Sequence, residues 1–249
     1  DNIRIKITPE SSGFFSSAAA ASLGNSPAPL PDATNLALLT WTWAASAILV
    51  DKPSKIASDA ESVEEAQDTA LDGLLGLMAQ AKTELLIVSP YFVPGALMMQ
   101  QFADIRKRGV RVRVLTNSLA SNDAVAAHAG YARYREALLG LGIELYEMRS
   151  EQRGTVRANL SGFGIGSGSA GRSGGKSHAS LHAKAVVIDN KLLVVGSMNL
   201  DLRSKLQNSE VAVVVRSSKL ASEASALIVP SLSKDAYKVE NQSGSLVWR

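Results

Sequence analysis

Two apolar runs, Ala185-Val186-Val187-Ile188 and Leu192-Leu193-Val194-Val195, flank the pair Asp189-Asn190. Aspartate and asparagine tolerate the left-handed backbone of tight hairpins, so the segment predicts two neighbouring antiparallel strands. That pairing constrains what lies at its ends. Side chains alternate across a strand, so His182 and Lys184 before the hairpin share a face, as do Ser197 and Asn199 after it. An imidazole, an ammonium, a hydroxyl and a carboxamide are thereby gathered together. The set suits a phosphate: one nucleophile or proton carrier, and three donors for its oxygens.

The rest of the chain alternates between strand and helix patterns. Val63, Ala66, Ala70, Leu74, Leu77 and Met78 recur at helical spacing within residues 62–81. A buried strand is predicted over 84–89, a helix over about 96–108 closed by Gly109, and a strand over 110–115. Strand, helix, strand implies a parallel crossover. A helix over 123–141, a strand over 143–146, a strand over 211–215 and a helix over 220–229 follow, ahead of a weakly structured tail. Trp41-Thr42-Trp43 and Ile48-Leu49-Val50 alternate enough for a further strand. The expected fold class is α/β, with a layered domain over 36–249. Residues 1–35, with Pro27, Pro29 and Pro31, read as an irregular linker, and 161–180 as a flexible Gly/Ser-rich insertion before the catalytic strand.

Composition sets outer limits. The chain has no cysteine, which excludes disulfides, thiolate catalysis and cysteine-ligated metals. A net charge of +3 is too mild to argue for nucleic acid and suits an anionic lipid surface equally well. The most apolar stretch, 36–50, is short for a bilayer span and is interrupted by Thr40, Thr42 and Ser46. No basic region followed by an apolar run marks a signal peptide.

The order His182, Lys184, Asp189, Gly196, Ser197, Asn199, with four residues between lysine and aspartate and six between aspartate and glycine, resembles the HKD signature of the phospholipase D superfamily. Leu200-Asp201-Leu202-Arg203-Ser204, Asn208-Ser209-Glu210, the segment 86–95 and the segment 109–120 are similar to its bacterial cardiolipin synthase branch, as is 128–135. The resemblance implies an α-β-α sandwich around a mixed sheet and phosphodiester chemistry without a metal or other cofactor. It implies that His182 acts as acid and then base, that Lys184 holds a nonbridging oxygen, and that the Glu210 carboxylate holds the far nitrogen of His182. It also implies a bacterial protein, peripheral at the cytoplasmic membrane, with an anionic phospholipid substrate. Asp189 is carried as a third catalytic residue, although at a hairpin turn it could equally cap the turn. Asn117, past a strand end where such sheets place ligands, is a further candidate substrate contact.

Members of this branch carry two HKD motifs, and this sequence has one. Its three histidines are His128, His178 and His182, and the residues two places after the first two are Gly130 and Ser180. The expectation is a single HKD half that needs a second, from the same parent chain or from a homodimer. Two alternatives stay open. A nuclease of the same superfamily uses the same groups but calls for basic and stacking residues, whereas aromatics here are 5%. A non-catalytic half would bind phosphate or a partner protein only. Gly162-Phe163-Gly164-Ile165-Gly166 precedes a strand and so fails as a dinucleotide loop. His128 shares a predicted helical face with Tyr131 and Arg135, where packing or salt bridging is the default role.

Overall fold

Val-, Leu- and Ile-rich segments become the centre of one nine-stranded sheet. The computed structural model describes residues 41–57, 68–150, 165–167 and 179–249. In chain order the elements are β1 (Ala45–Val50), α1 (Ser54–Ala57), α2 (Ala70–Met78), β2 (Glu84–Val88), α3 (Gly95–Lys107), β3 (Arg111–Asn117), α4 (Val125–Ala132), α5 (Arg135–Gly140) and β4 (Glu144–Met148). There follow β5 (Ile165–Ser167), β6 (Ala179–Leu181), β7 (Ala185–Ile188), β8 (Leu192–Gly196), α6 (Leu202–Leu206), β9 (Val211–Arg216), α7 (Ser218–Lys234), β10 (Ala236–Gln242) and β11 (Ser245–Trp248).

The sheet order is β1-β9-β8-β7-β2-β3-β4-β10-β11, with β5 and β6 forming a separate pair. Only β2–β3 and β3–β4 are parallel. Alternation sends the two faces to different cores. Leu85, Ile87, Val112, Val114, Val186, Val194 and Val214 pack with the apolar stripes of α2 to α5. Leu86, Val88, Leu115, Ala185 and Val187 pack with Ala221, Ala224, Ile228 and Leu232 of α7. The result is the expected mixed sheet between helical layers. Thr69 caps α2 in a reciprocal box: its hydroxyl accepts from the Asp72 amide, while its own amide donates to the Asp72 carboxylate.

Several sequence expectations need correction. The 123–141 helix breaks at Arg133-Tyr134 into α4 and α5. The predicted weak tail is instead the β10–β11 hairpin, antiparallel to β4 at the sheet edge. Its Trp248 Nε1 donates to the buried Glu147, which pairs with Arg135 at 2.8 Å. Arg135 in turn donates to His128 Nε2 at 2.8 Å, so the default reading of His128 holds. The linker 1–35, most of the insertion 161–180 and His178 lie outside the described residues.

The β7–β8 turn is as the sequence predicts, with φ of 53° at Asp189 and 51° at Asn190. The expected catalytic role of Asp189 is contradicted by where its carboxylate points. Oδ1 accepts from the amides of Thr83 (2.7 Å) and Glu84 (3.0 Å) and from the Thr83 hydroxyl, while Oδ2 accepts from the Lys82 amide at 3.0 Å. Asp189 therefore caps the start of β2, at the far end of β7 from His182. Burial pushes its pKa up, but those donors outweigh burial and hold it below the ordinary value of 3.8. Its depressed folded-state pKa gives a stabilisation that is complete above pH 3.8 and is lost as pH falls through the folded value. Asp189→Ala is expected to lower stability by roughly 2 kcal/mol, or about 5 °C in Tm by calorimetry, with activity per folded molecule retained.

Candidate active site

The groove lies past the carboxyl ends of the parallel strands β2 and β3. Val88 pairs with Ala185, so the three residues before Ala185 run on beyond the end of β2. The Gly196 amide donates to the Lys184 carbonyl at 3.2 Å and the Ser197 amide to the Val211 carbonyl at 2.9 Å, extending the ladder into the site. Gly196 itself admits no side chain. A Cβ there would overlap the Val211 carbonyl oxygen and come within 2.5 Å of Ala212 Cβ. The Leu200 amide donates to Ser89 Oγ and the Val93 amide to the Leu200 carbonyl, which draws the 89–93 segment alongside. An open groove of about 920 Å³ results, with His182, Lys184, Ser197, Asn199 and Glu210 in its wall. The predicted convergence of imidazole, ammonium, hydroxyl and carboxamide is present.

His182 is exposed to the groove, and Lys184 Nζ lies 3.4 Å from its Nδ1 while donating to its carbonyl at 2.8 Å. Burial lowers the Lys184 pKa below the usual lysine value, against the opposing pull of Glu210, Asp123 and Asp201. Asn199 is buried with its side-chain Oδ1 lacking any hydrogen-bond partner among the described residues. That buried oxygen is an acceptor and calls for a hydrogen-bond donor, whereas only the Nδ2 hydrogens of the same amide can meet a phosphate oxygen.

Two candidates do different work from that expected. The hydrogen of Ser197 Oγ is committed to Glu210 Oε2 at 2.5 Å, and the same oxygen accepts from the Val211 amide at 3.1 Å. Ser197 is thus a brace for the wall and not a free donor to phosphate oxygens. Glu210 does not bond His182. It accepts from Ser197, from Ser204 Oγ at 2.8 Å and from Asn208 Nδ2 at 3.2 Å, while its amide donates to Asp51 Oδ2. Its carboxylate is filled by neutral donors on its own side of the groove.

Asn117 is also corrected. It is 1% exposed and lies behind the groove wall. Its Nδ2 donates to the Leu181 carbonyl at 3.1 Å and its Oδ1 accepts from the Leu181 amide at 2.9 Å. A side-chain amide here takes the place of a strand neighbour and fixes the residue before His182.

Sequence reasoning missed Asp51 and Tyr91. Asp51 is buried at the end of β1 and holds the Ala70 amide (2.7 Å), Lys55 Nζ (2.5 Å) and the Glu210 amide (2.9 Å), joining α2 to the catalytic wall. Its only signal was a charged residue ending an apolar strand. Tyr91 lines the groove and donates to Asp123 Oδ1 at 2.6 Å. It stood in a quoted segment without a chemical role.

A family model described as "Cardiolipin synthase, PLD-like domain" matches residues 74–228. The chain belongs to that family. Among curated relatives of this phospholipase D-like domain, "Cardiolipin synthase C" of Escherichia coli K12 is 38% identical over 181 residues, which are 72% of this chain and 35% of that protein. The chain thus spans about a third of the length of such relatives. Solved structures agree on the fold. NucT from Helicobacter pylori superposes with a TM-score of 0.53 at 13% identity, covering 77% of this chain and 97% of that one. Nuc, a phospholipase D family member from Salmonella typhimurium, gives 0.50 at 18% identity, with 78% and 98% covered. These identities speak for the fold alone. The layered sheet is therefore that of the phospholipase D fold.

Proposed function

We propose that this chain is one HKD half of a cardiolipin synthase-like phosphatidyltransferase that works through a phosphohistidine. The observation that carries the reading is the meeting of His182, Lys184 and Asn199 on one open groove wall. Phosphoryl transfer asks for positioning and charge neutralisation more than for elaborate chemistry. One imidazole attacks phosphorus as a second, facing imidazole protonates the departing head-group oxygen; the second then takes a proton from the acceptor hydroxyl as the P–N bond breaks. Lys184 Nζ and the Asn199 Nδ2 hydrogens donate to the nonbridging oxygens. This wall supplies one imidazole, and the other comes from a second HKD half, in the same parent chain or in a homodimer. As the second motif, His182 takes the acid/base role.

An uncovered apolar face supports that partner. Val195, Val211, Val213, Ile48 and Val50 are all exposed and in register on β8, β9 and β1, beside the groove. Contiguous apolar sheet left exposed among the described residues marks an interaction surface. No helix among the described residues is long and apolar enough to cross a membrane. With an anionic phospholipid as its substrate, the protein is placed in this reading peripherally at a bacterial cytoplasmic membrane.

The test is a side-by-side assay on one preparation of full-length protein: phosphatidyl transfer from labelled phosphatidylglycerol vesicles, and cleavage of single-stranded DNA. Transfer without cleavage, unaffected by EDTA because Lys184 carries the charge, is expected. Cleavage without transfer would assign the groove to nucleic acid. Neither activity would leave a phosphate- or partner-binding half.

A further inference from the structure

We propose that the apolar cavity between α2, α3 and α6 holds one acyl chain of the lipid whose phosphate sits at Lys184. The inference rests on the phosphatidyl-transfer reading and adds to it the place where the donor's hydrocarbon is registered.

The cavity is a neighbour of the catalytic groove, built on the same two segments. Phe92 and Leu200 form a parallel bridge, and each is 1% exposed in the core. The Val93 amide donates to the Leu200 carbonyl at 2.8 Å and holds the segments together. Alternation turns the residues on either side of Phe92 and Leu200 the other way. Tyr91 and Asn199, one position before, line the groove; Val93 and Asp201, one position after, line the cavity. The step between them is two residues, or about 7 Å of extended chain. That is the reach of a glycerol backbone and its ester from the phosphate they carry.

The lining selects hydrocarbon. Two charged side chains border the cavity, and both face partners in the protein. Asp201 caps α6 by accepting from the Ser204 amide at 2.8 Å, and Lys205 Nζ donates to Asp72 Oδ1 at 2.6 Å. What is left for a ligand is Leu71 and Leu75 of α2, Leu97 and Met98 of α3, Val93, and Leu202 of α6. The space is about 130 Å³, the size of apolar cavity that stays dry and takes up a small hydrocarbon. Its rim is apolar as well. Leu97 is 57% and Leu202 44% exposed, so a chain entering from outside meets leucine first. From water, each methylene buried is worth about fourfold in affinity. In a bilayer the chain passes from one hydrocarbon surrounding to another and gains little, so the cavity there sets the position of the phosphate against Lys184 more than the strength of binding.

The experiment therefore uses short-chain lipids dissolved in water. Full-length protein carrying His182→Gln, so that no lipid is turned over, is titrated by calorimetry with dibutyryl- and dihexanoylphosphatidylglycerol, both below micelle formation. The longer lipid is expected to bind about 16-fold more tightly, two methylenes of the one chain that the cavity takes. Ala96 and Leu97 are exposed on the rim, where substitution leaves the fold intact. Added to the same protein, Ala96→Phe plugs the mouth and Leu97→Gln makes it polar, and each is expected to bring the ratio below about fourfold. The ratio is taken within each protein, so the folded fraction cancels. A ratio near unity before the rim is changed, or one that both rim variants leave unchanged, overturns the assignment. Hexanoate that binds as tightly as the dihexanoyl lipid, and is lost in both variants, would make this a fatty-acid site and overturn the donor-lipid assignment. The reaction is judged separately, on wild type with long-chain phosphatidylglycerol vesicles. Chain-length discrimination in a protein that transfers nothing keeps the cavity and removes the transferase reading, and transfer without discrimination does the reverse.

Discussion

Changing His182 to glutamine is expected to cut phosphatidyl transfer by about 10⁴-fold or more, because no other imidazole lines the groove among the described residues to attack phosphorus or carry the proton. The side chain is exposed, and its polar contact is with Lys184, itself anchored to the His182 backbone. Melting should therefore stay within about 1 °C of wild type, the usual range for a surface substitution. Radiolabelled donor lipid, quenched in alkali where phosphohistidine survives, divides the roles. A labelled adduct that forms without turnover would place the nucleophile on the second half and leave His182 the acid/base. Complete absence of adduct would place His182 in the first step, as its nucleophile or as the acid for its leaving oxygen. Full transfer in the variant would remove His182 from the mechanism altogether.

Lys184→Met should cost about 10²- to 10³-fold in kcat/KM, the scale for deleting one preorganised charge at a developing anion. The pH profile provides a sharper check. Burial disfavours the ammonium, so its folded-state pKa lies below the ordinary 10.5. The cation is the active form, and kcat/KM should fall on the alkaline side at a lower pH than an unperturbed lysine would dictate. Lys184→Arg carries a charge that does not titrate in this range. It should recover part of the rate and lose that alkaline limb. A limb that persists unchanged in the arginine variant would assign it to another group.

The hairpin, the parallel crossover and the His182–Lys184 pair were legible because each depends on local pattern: an Asp-Asn turn between apolar runs, helical spacing between strands, alternation along a strand. What failed depended on contacts distant in sequence. Arg113, on β3, is 7% exposed and bonded to Glu84 on the neighbouring strand, a pairing that nothing in its own segment announces. Asp189 belongs to residues more than a hundred positions upstream. Asn117 serves Leu181 across 64 residues, and Glu210 takes its amide partner from Asp51 across 159. The motif marked these as mattering but could not say whether each touches ligand or holds a neighbour. For Asp189, Asn117 and Ser197 the structure favours the second role.

The close approach of β8 to β9 at Gly196 has a practical consequence. Even one methyl group there would force the two strands apart at the rung that sets Ser197 against Glu210. A saturation library selected for transferase survival should therefore show position 196 as depleted as position 182. The depletion would come from backbone spacing, and a survey of ligand-touching atoms alone would overlook it.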